Sequence, residues 1–111
     1  MRRTELSALP DVLCVGDLEL DLGRHRTCRA KQRIELTNKE FALLHLLMRQ
    51  TGTTLSRKQI MSSLWGLNAD CDTNVVEVAM RRLRAKIDDP FDKKLIHTLR
   101  GVGYVLEKRD Q

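Results

Sequence analysis

A chain of 111 residues has room for one domain with one modest core. Its 41% hydrophobic and 32% charged content excludes a disordered chain, and no apolar run approaches the length of a membrane span. The net charge of +5 and an isoelectric point near 9.4 suit a polyanionic partner.

Residues 1–11 mix Arg, Thr, Glu, Ser and Pro without periodicity and read as a linker remnant. Residues 108–111 read as a tail, leaving one domain over 12–107. From Val12 to Leu36 short strand-like pieces follow one another. Leu18, Leu20 and Leu22 alternate with Glu19 and Asp21, the two-residue period of a half-buried strand. Gly16-Asp17 and Gly23 punctuate the region, and Thr27-Cys28 and Ile34-Glu35-Leu36 continue it. A small antiparallel sheet of about four strands is expected.

The helices carry clearer signals. Thr37-Asn38-Lys39-Glu40 is a capping box, with Leu36 and Phe41 placed as a hydrophobic staple. Phe41, Leu44, Leu47 and Met48 form an inward stripe, and Gly52 offers a C-terminal cap. Ser56-Arg57-Lys58-Gln59 repeats the capping grammar, with Leu55 and Ile60 as staple; Ile60, Leu64 and Trp65 form the buried face and Gly66 ends that helix. A third helix over about 73–88 opens after Asp72-Thr73, either of which can cap it, and stops before Pro90. Leu95 to Leu106 then reads as two strands joined at Arg100-Gly101-Val102-Gly103.

Charge is unevenly spread. Thr73 to Arg109 holds nine Lys or Arg against five Asp or Glu. Arg24 to Arg33 has five bases and no acid, and reads as a solvated face no less than as a polyanion contact. Asp11 to Asp21 has four acids and no base.

On the third helix Val76, Met80, Leu83 and Ile87 follow the spacing of a buried stripe. The opposite side carries Asn74, Glu77, Val78, Arg81, Arg82 and Ala85, with Asn74, Val78 and Arg82 nearly in line. A helix of this kind fits a DNA major groove, and a slim hairpin tip with Arg100 fits an adjacent minor groove. Arg82 is the first candidate for a base contact, because guanidinium pairs bidentately with guanine. Arg81, Arg84 and Lys86 flank the line as phosphate contacts, so Arg84→Ala is expected to weaken all sequences alike. Asn74 can meet phosphate or base, Val78 a thymine methyl, and Lys94 and Thr98 further phosphates. The plain alternative is a solvated face stabilised by pairs such as Glu77 with Arg81. For Arg100 it is a charge that only keeps the turn soluble.

Asn74–Lys86 taken with Thr98-Leu99-Arg100-Gly101-Val102-Gly103-Tyr104 resembles the C-terminal effector domain of OmpR/PhoB-type response regulators. Leu36-Thr37-Asn38-Lys39-Glu40-Phe41 is similar to the start of that family's first helix, and the likeness spans Val12 to Glu107. Asn68 to Leu106 is further similar to the heavy-metal (copper or silver) responsive branch. The resemblance implies an α+β winged helix-turn-helix with an N-terminal four-stranded antiparallel sheet, three helices and a C-terminal β-hairpin wing. It implies binding to promoter double-stranded DNA at direct repeats, as a tandem head-to-tail dimer. Arg82 and Arg84 on the helix and Arg100 in the wing are the matching positions. Leu67, Asn68, Ala69 and Asp70 match the connection that faces RNA polymerase in activators. No segment resembles the phosphoacceptor receiver domain, so a cognate sensor kinase acts only on that missing part.

Other classes fit less well. His25, His45 and His97 are scattered, without a nucleophile elbow or phosphate-binding loop, so no enzyme is expected. Cys14, Cys28 and Cys71 are odd in number and widely spaced, which argues against disulfides, and Cys71 has no second ligand at zinc spacing. No metal, cofactor or membrane partner is expected, and without a signal sequence a cytoplasmic location is. A winged-helix protein-interaction module is the main alternative. RNA binding is the lesser one, since four aromatic residues offer few stacking platforms.

Overall fold

The structure, a computed structural model, describes residues 12–66 and 74–108. The expected linker, residues 109–111 of the expected tail, the cap candidates Asp72 and Thr73, Cys71, and Leu67, Asn68, Ala69 and Asp70, expected to face RNA polymerase, lie outside the described residues.

Strands β1 (Val12–Val15), β2 (Leu18–Asp21), β3 (Arg26–Arg29) and β4 (Gln32–Ile34) form an antiparallel sheet in chain order. Leu18 and Leu20 point inward and are fully buried, as their alternation requires. The same phase carries across the register, which pairs Leu20 with Thr27 and Leu18 with Arg29. Thr27 and Arg29 therefore also face the core, where both are buried. The β3–β4 turn is a two-residue loop, Ala30-Lys31, with φ of 52° and 66°. Two positive φ values in so short a hairpin suit Asn-Gly, and this chain supplies neither residue.

Helix α1 (Asn38–Arg49) begins with the expected capping box: Thr37 Oγ1 accepts from the Glu40 amide, and Glu40 Oε1 accepts from the Thr37 amide. Leu43 and Leu46 are buried along with the expected stripe, because α1 runs between the sheet, α2, α3 and the wing and buries more than one face. Its cap is Gln50 rather than Gly52, whose amide donates instead to Leu106 O at 3.0 Å. Helix α2 (Arg57–Trp65) repeats the box with Ser56 and Gln59, and Gly66 closes it at φ 98°. Helix α3 (Asn74–Ile87) buries Val76, Met80, Leu83 and Ile87, the four residues of the expected stripe.

Strands β5 (Ile96–Leu99) and β6 (Gly103–Leu106) make the C-terminal hairpin. Its base is pinned to the segment before α2: the Leu55 amide donates to Tyr104 O at 2.8 Å, and the Tyr104 amide to Leu55 O at 2.9 Å. This approach dictates Gly103. A Cβ there would collide with the Leu55 carbonyl and stand 2.9 Å from Ser56 Cα.

Arg29, only 1% exposed, ties these parts together. Its Nε donates to Asp17 Oδ1 at 2.6 Å and its Nη1 to Asp88 Oδ1 at 3.0 Å. The carbonyls of Ile87 and Lys93 accept from the same guanidinium, and the Phe91 ring lies 4.8 Å from its Cζ. Asp88 also accepts from the Leu95 and Ile96 amides. A buried ion pair with its remaining donors and lone pairs filled avoids the large cost of an unpaired charge. The solvated-face reading of Arg24 to Arg33 fails at this residue: the inward phase of β3 places the charge beside Asp88.

Removing one partner of that clamp is expected to be severe. Arg29→Ala leaves Asp88 buried without its cation and should cost about 3–5 kcal/mol in urea unfolding; a loss below about 1 kcal/mol would contradict the clamp. Conversely, Ala30→Asn with Lys31→Gly relieves the left-handed turn. It should add about 1 kcal/mol, read as a melting point about 4–8 °C higher.

Candidate nucleic-acid interface

The 3.6-residue period of α3 turns its buried stripe inward and leaves Asn74, Arg81, Arg82 and Ala85 exposed on the opposite side, with Val78 half-buried. Adjacent positions diverge by about 100° around the axis, so Arg81 and Arg82 open onto different flanks. Arg81 lines the concavity between α3 and the hairpin, together with Arg57, Arg84, Thr98 and Arg100. Arg82 lines a second one with Asn74, Val78, Lys39 and Trp65, beside the start of α1. The three residues expected in one line thus share one flank, but Arg82 does not share a concavity with Arg100. Arg81 does.

The hairpin tip is slim. Gly101 takes φ 76°, and the Val102 amide closes the turn onto Leu99 O at 2.9 Å. Arg100 is exposed there, and Val102 beside it is 57% exposed. Thr98 is exposed on β5, across from Tyr104.

Three of the cations expected to clamp phosphate are engaged by the protein itself. Arg84 is half-buried, donates from Nη2 to Ile96 O at 3.0 Å, and holds its Cζ 5.9 Å from the Tyr104 ring centre. Lys86 Nζ pairs with Glu40 Oε1 at 2.6 Å. Lys94 Nζ donates to Asp88 O at 3.0 Å and Phe91 O at 2.6 Å, across the turn that follows α3. Spacing could not reveal this, because each acceptor comes from a carbonyl or a distant element. Glu77, expected beside Arg81, pairs instead with Arg57 of α2. Arg57 had only the capping box to mark it, yet it lies in the hairpin-side concavity.

The three histidines are used separately. His25 stacks on Phe41 with centroids 3.7 Å apart, and His97 Nε2 meets Glu107 O at 3.2 Å. Burial, helped by the Arg49 charge, pushes the His45 pKa down. Among the described residues no cluster of His, Cys, Asp or Glu could hold a metal ion, and no helix is long and apolar enough to cross a membrane.

Residues 31–106 match the family model described as transcriptional regulatory protein, C terminal. The chain is 49% identical over 109 residues to the transcriptional regulatory protein PcoR of Escherichia coli, covering 98% of this chain and 48% of that protein. It is 57% identical over 98 residues to the transcriptional activator protein IrlR of Burkholderia pseudomallei, covering 88% of this chain and 43% of that one. It therefore spans about half the length of these curated relatives. Among solved structures it is similar to the Klebsiella pneumoniae RstA DNA-binding domain in complex with the RstA box. That match has a TM-score of 0.77 at 26% identity and covers 86% of this chain and 96% of that one.

The Glu40–Lys86 pair gives the site an acid limit. Burial alone would raise the Glu40 pKa, but hydrogen bonds from Lys86 and Thr37, with the ammonium charge, outweigh it and hold it below the usual carboxylate value. A depressed pKa contributes stability that is whole above the unfolded value of about 4.3 and is lost as pH falls through the folded one. Glu40→Gln is expected to lower stability at neutral pH and to flatten its fall on acidification. Melting curves from pH 7 down to about pH 3 test this; an unchanged acid slope would contradict it.

Proposed function

We propose that this chain, which belongs to the transcriptional regulatory protein C-terminal family of OmpR/PhoB-type effector domains, binds promoter double-stranded DNA sequence-specifically and so regulates transcription. The observation that carries the reading is the pairing of two exposed arginines, Arg81 on α3 and Arg100 on the hairpin tip, across one concavity. Helix α3, as the core of a recognition helix over 73–88, enters the major groove, and Arg100 enters the neighbouring minor groove. Arg82 reads a base edge, Val78 meets a thymine methyl, and Asn74 meets base or phosphate. Arg81 and Thr98 take backbone phosphates between the two grooves. Arg84, Lys86 and Lys94 act mainly by fixing where helix and hairpin stand, with phosphate contact secondary.

Residues 12–107 are the DNA-binding unit, and two copies bind direct repeats head to tail. Leu67, Asn68, Ala69 and Asp70 face RNA polymerase. The longer parent carries a receiver domain that a sensor kinase phosphorylates, in a cytoplasmic relay of the copper- or silver-responsive kind. The domain itself is no enzyme and needs no metal. A protein-docking reading draws support from the apolar lining of the concavity beside Trp65, and salt separates the two.

With about four to six phosphates neutralised, affinity should fall about a hundredfold or more between 50 and 200 mM salt. Arg82→Ala should relax preference at one base position, costing about 1–3 kcal/mol there, while Arg81→Ala should weaken all duplexes alike and shallow the salt slope by about one. Selection from random duplexes followed by anisotropy titration checks both. Arg82→Ala enriching the same sequences as the unaltered chain, position by position, would end its assigned role.

A further inference from the structure

The concavity beside the start of α1 has a volume of about 350 Å³, within the range of small-ligand sites. Trp65, Val75, Val78 and Ala79 make its lining largely apolar. DNA does not account for that lining, because a major groove presents polar base edges and a thymine methyl, and Val78 alone would meet the methyl. Two exposed cations, Lys39 and Arg82, border the apolar floor. Lys39 Nζ lies 4.8 Å from the Trp65 ring centre and donates to Leu64 O at 2.9 Å, which leaves further ammonium protons for an anion. Among the described residues no carboxylate pairs with Lys39 or Arg82. The acid in the lining, Glu40, is buried and already matched by Lys86 at 2.6 Å. An apolar floor beside two unmatched cations suits a ligand that is apolar at one end and anionic at the other.

We propose that this concavity binds a small aromatic carboxylate, with its ring on Trp65, Val75 and Ala79 and its carboxylate shared between Arg82 and Lys39. The planar guanidinium suits the bidentate share and the ammonium the single one. Asn74, Val78 and Arg82 line the same space, so the bound acid takes away residues assigned to the major groove and competes with DNA. The competition rests on the DNA-binding reading above; the binding itself does not.

The test uses the full 111-residue chain, whose only tryptophan is Trp65. Phenylpropionate, transparent where tryptophan is excited, is titrated against Trp65 emission, with phenylpropionamide and acetate as matched probes at constant ionic strength. The acid should saturate with a Kd of about 0.1–1 mM, as expected for so small a ligand. The neutral amide should bind about tenfold more weakly and acetate should leave the emission unchanged. Arg82→Gln and Lys39→Gln should each weaken the acid about three- to tenfold and leave the amide as it was. Ala79→Leu, which fills the floor, should abolish binding of acid and amide alike, and unchanged melting points separate these losses from unfolding. In a second titration, the acid at its Kd should about double the apparent Kd for a duplex enriched from a random pool. Equal binding of acid and amide, or undiminished acid binding in both charge variants, overturns the site. Acid that saturates the emission without displacing the duplex overturns the competition. Failure of the unaltered chain to bind any duplex sinks the DNA reading instead, and the emission titration then decides the site alone.

Discussion

The contact between Arg29 and Asp88 governs where everything else stands. It joins the inner face of the N-terminal sheet to the end of α3, and Asp88 passes the constraint on through the Leu95 and Ile96 amides to the start of the hairpin. A charge this deep is tolerable only if its donors are filled, and the guanidinium fork reaches two carboxylates and two carbonyls at once. Lysine, with one compact ammonium, could not span them. The angle between helix and hairpin, which determines whether Arg81 and Arg100 meet one ligand, follows from this buried junction, with Arg84 and Lys94 bracing it from outside.

Much of the fold was legible because its signals are local. Two capping boxes, an alternating Leu18–Leu20 pair and the Val76–Ile87 stripe each need only a few neighbouring residues to be read. What escaped depends on partners far along the chain. Arg29 looked like one member of a basic run, although its inward phase was already implied by Leu18 and Leu20 once strand register was known. Gly52 carried the mark of a helix cap, but its amide bonds to Leu106, a partner invisible to local reading. The exposed helix face was correctly opposed to the buried stripe. Its division into two flanks needed the positions of α1 and the hairpin.

Net charge likewise overstates what a ligand would meet. The basic last third includes Arg84, Lys86 and Lys94, whose side chains bond to Ile96, to Glu40 and to the turn after α3. Arg81, Arg82 and Arg100 stay exposed on the outer surface. Cations of one type therefore divide between holding the scaffold and facing solvent, and burial with partner carbonyls distinguishes them better than sequence density does.

The seam between Leu55 and Tyr104 has a mechanical consequence. It stiffens the root of the hairpin and leaves only the short stretch from Leu99 to Gly103 as a cantilevered end. Lengthening or trimming that end would alter its reach without disturbing α3, because the seam absorbs the change before it travels inward. Related chains could in this way diverge at the tip while keeping one shared chassis.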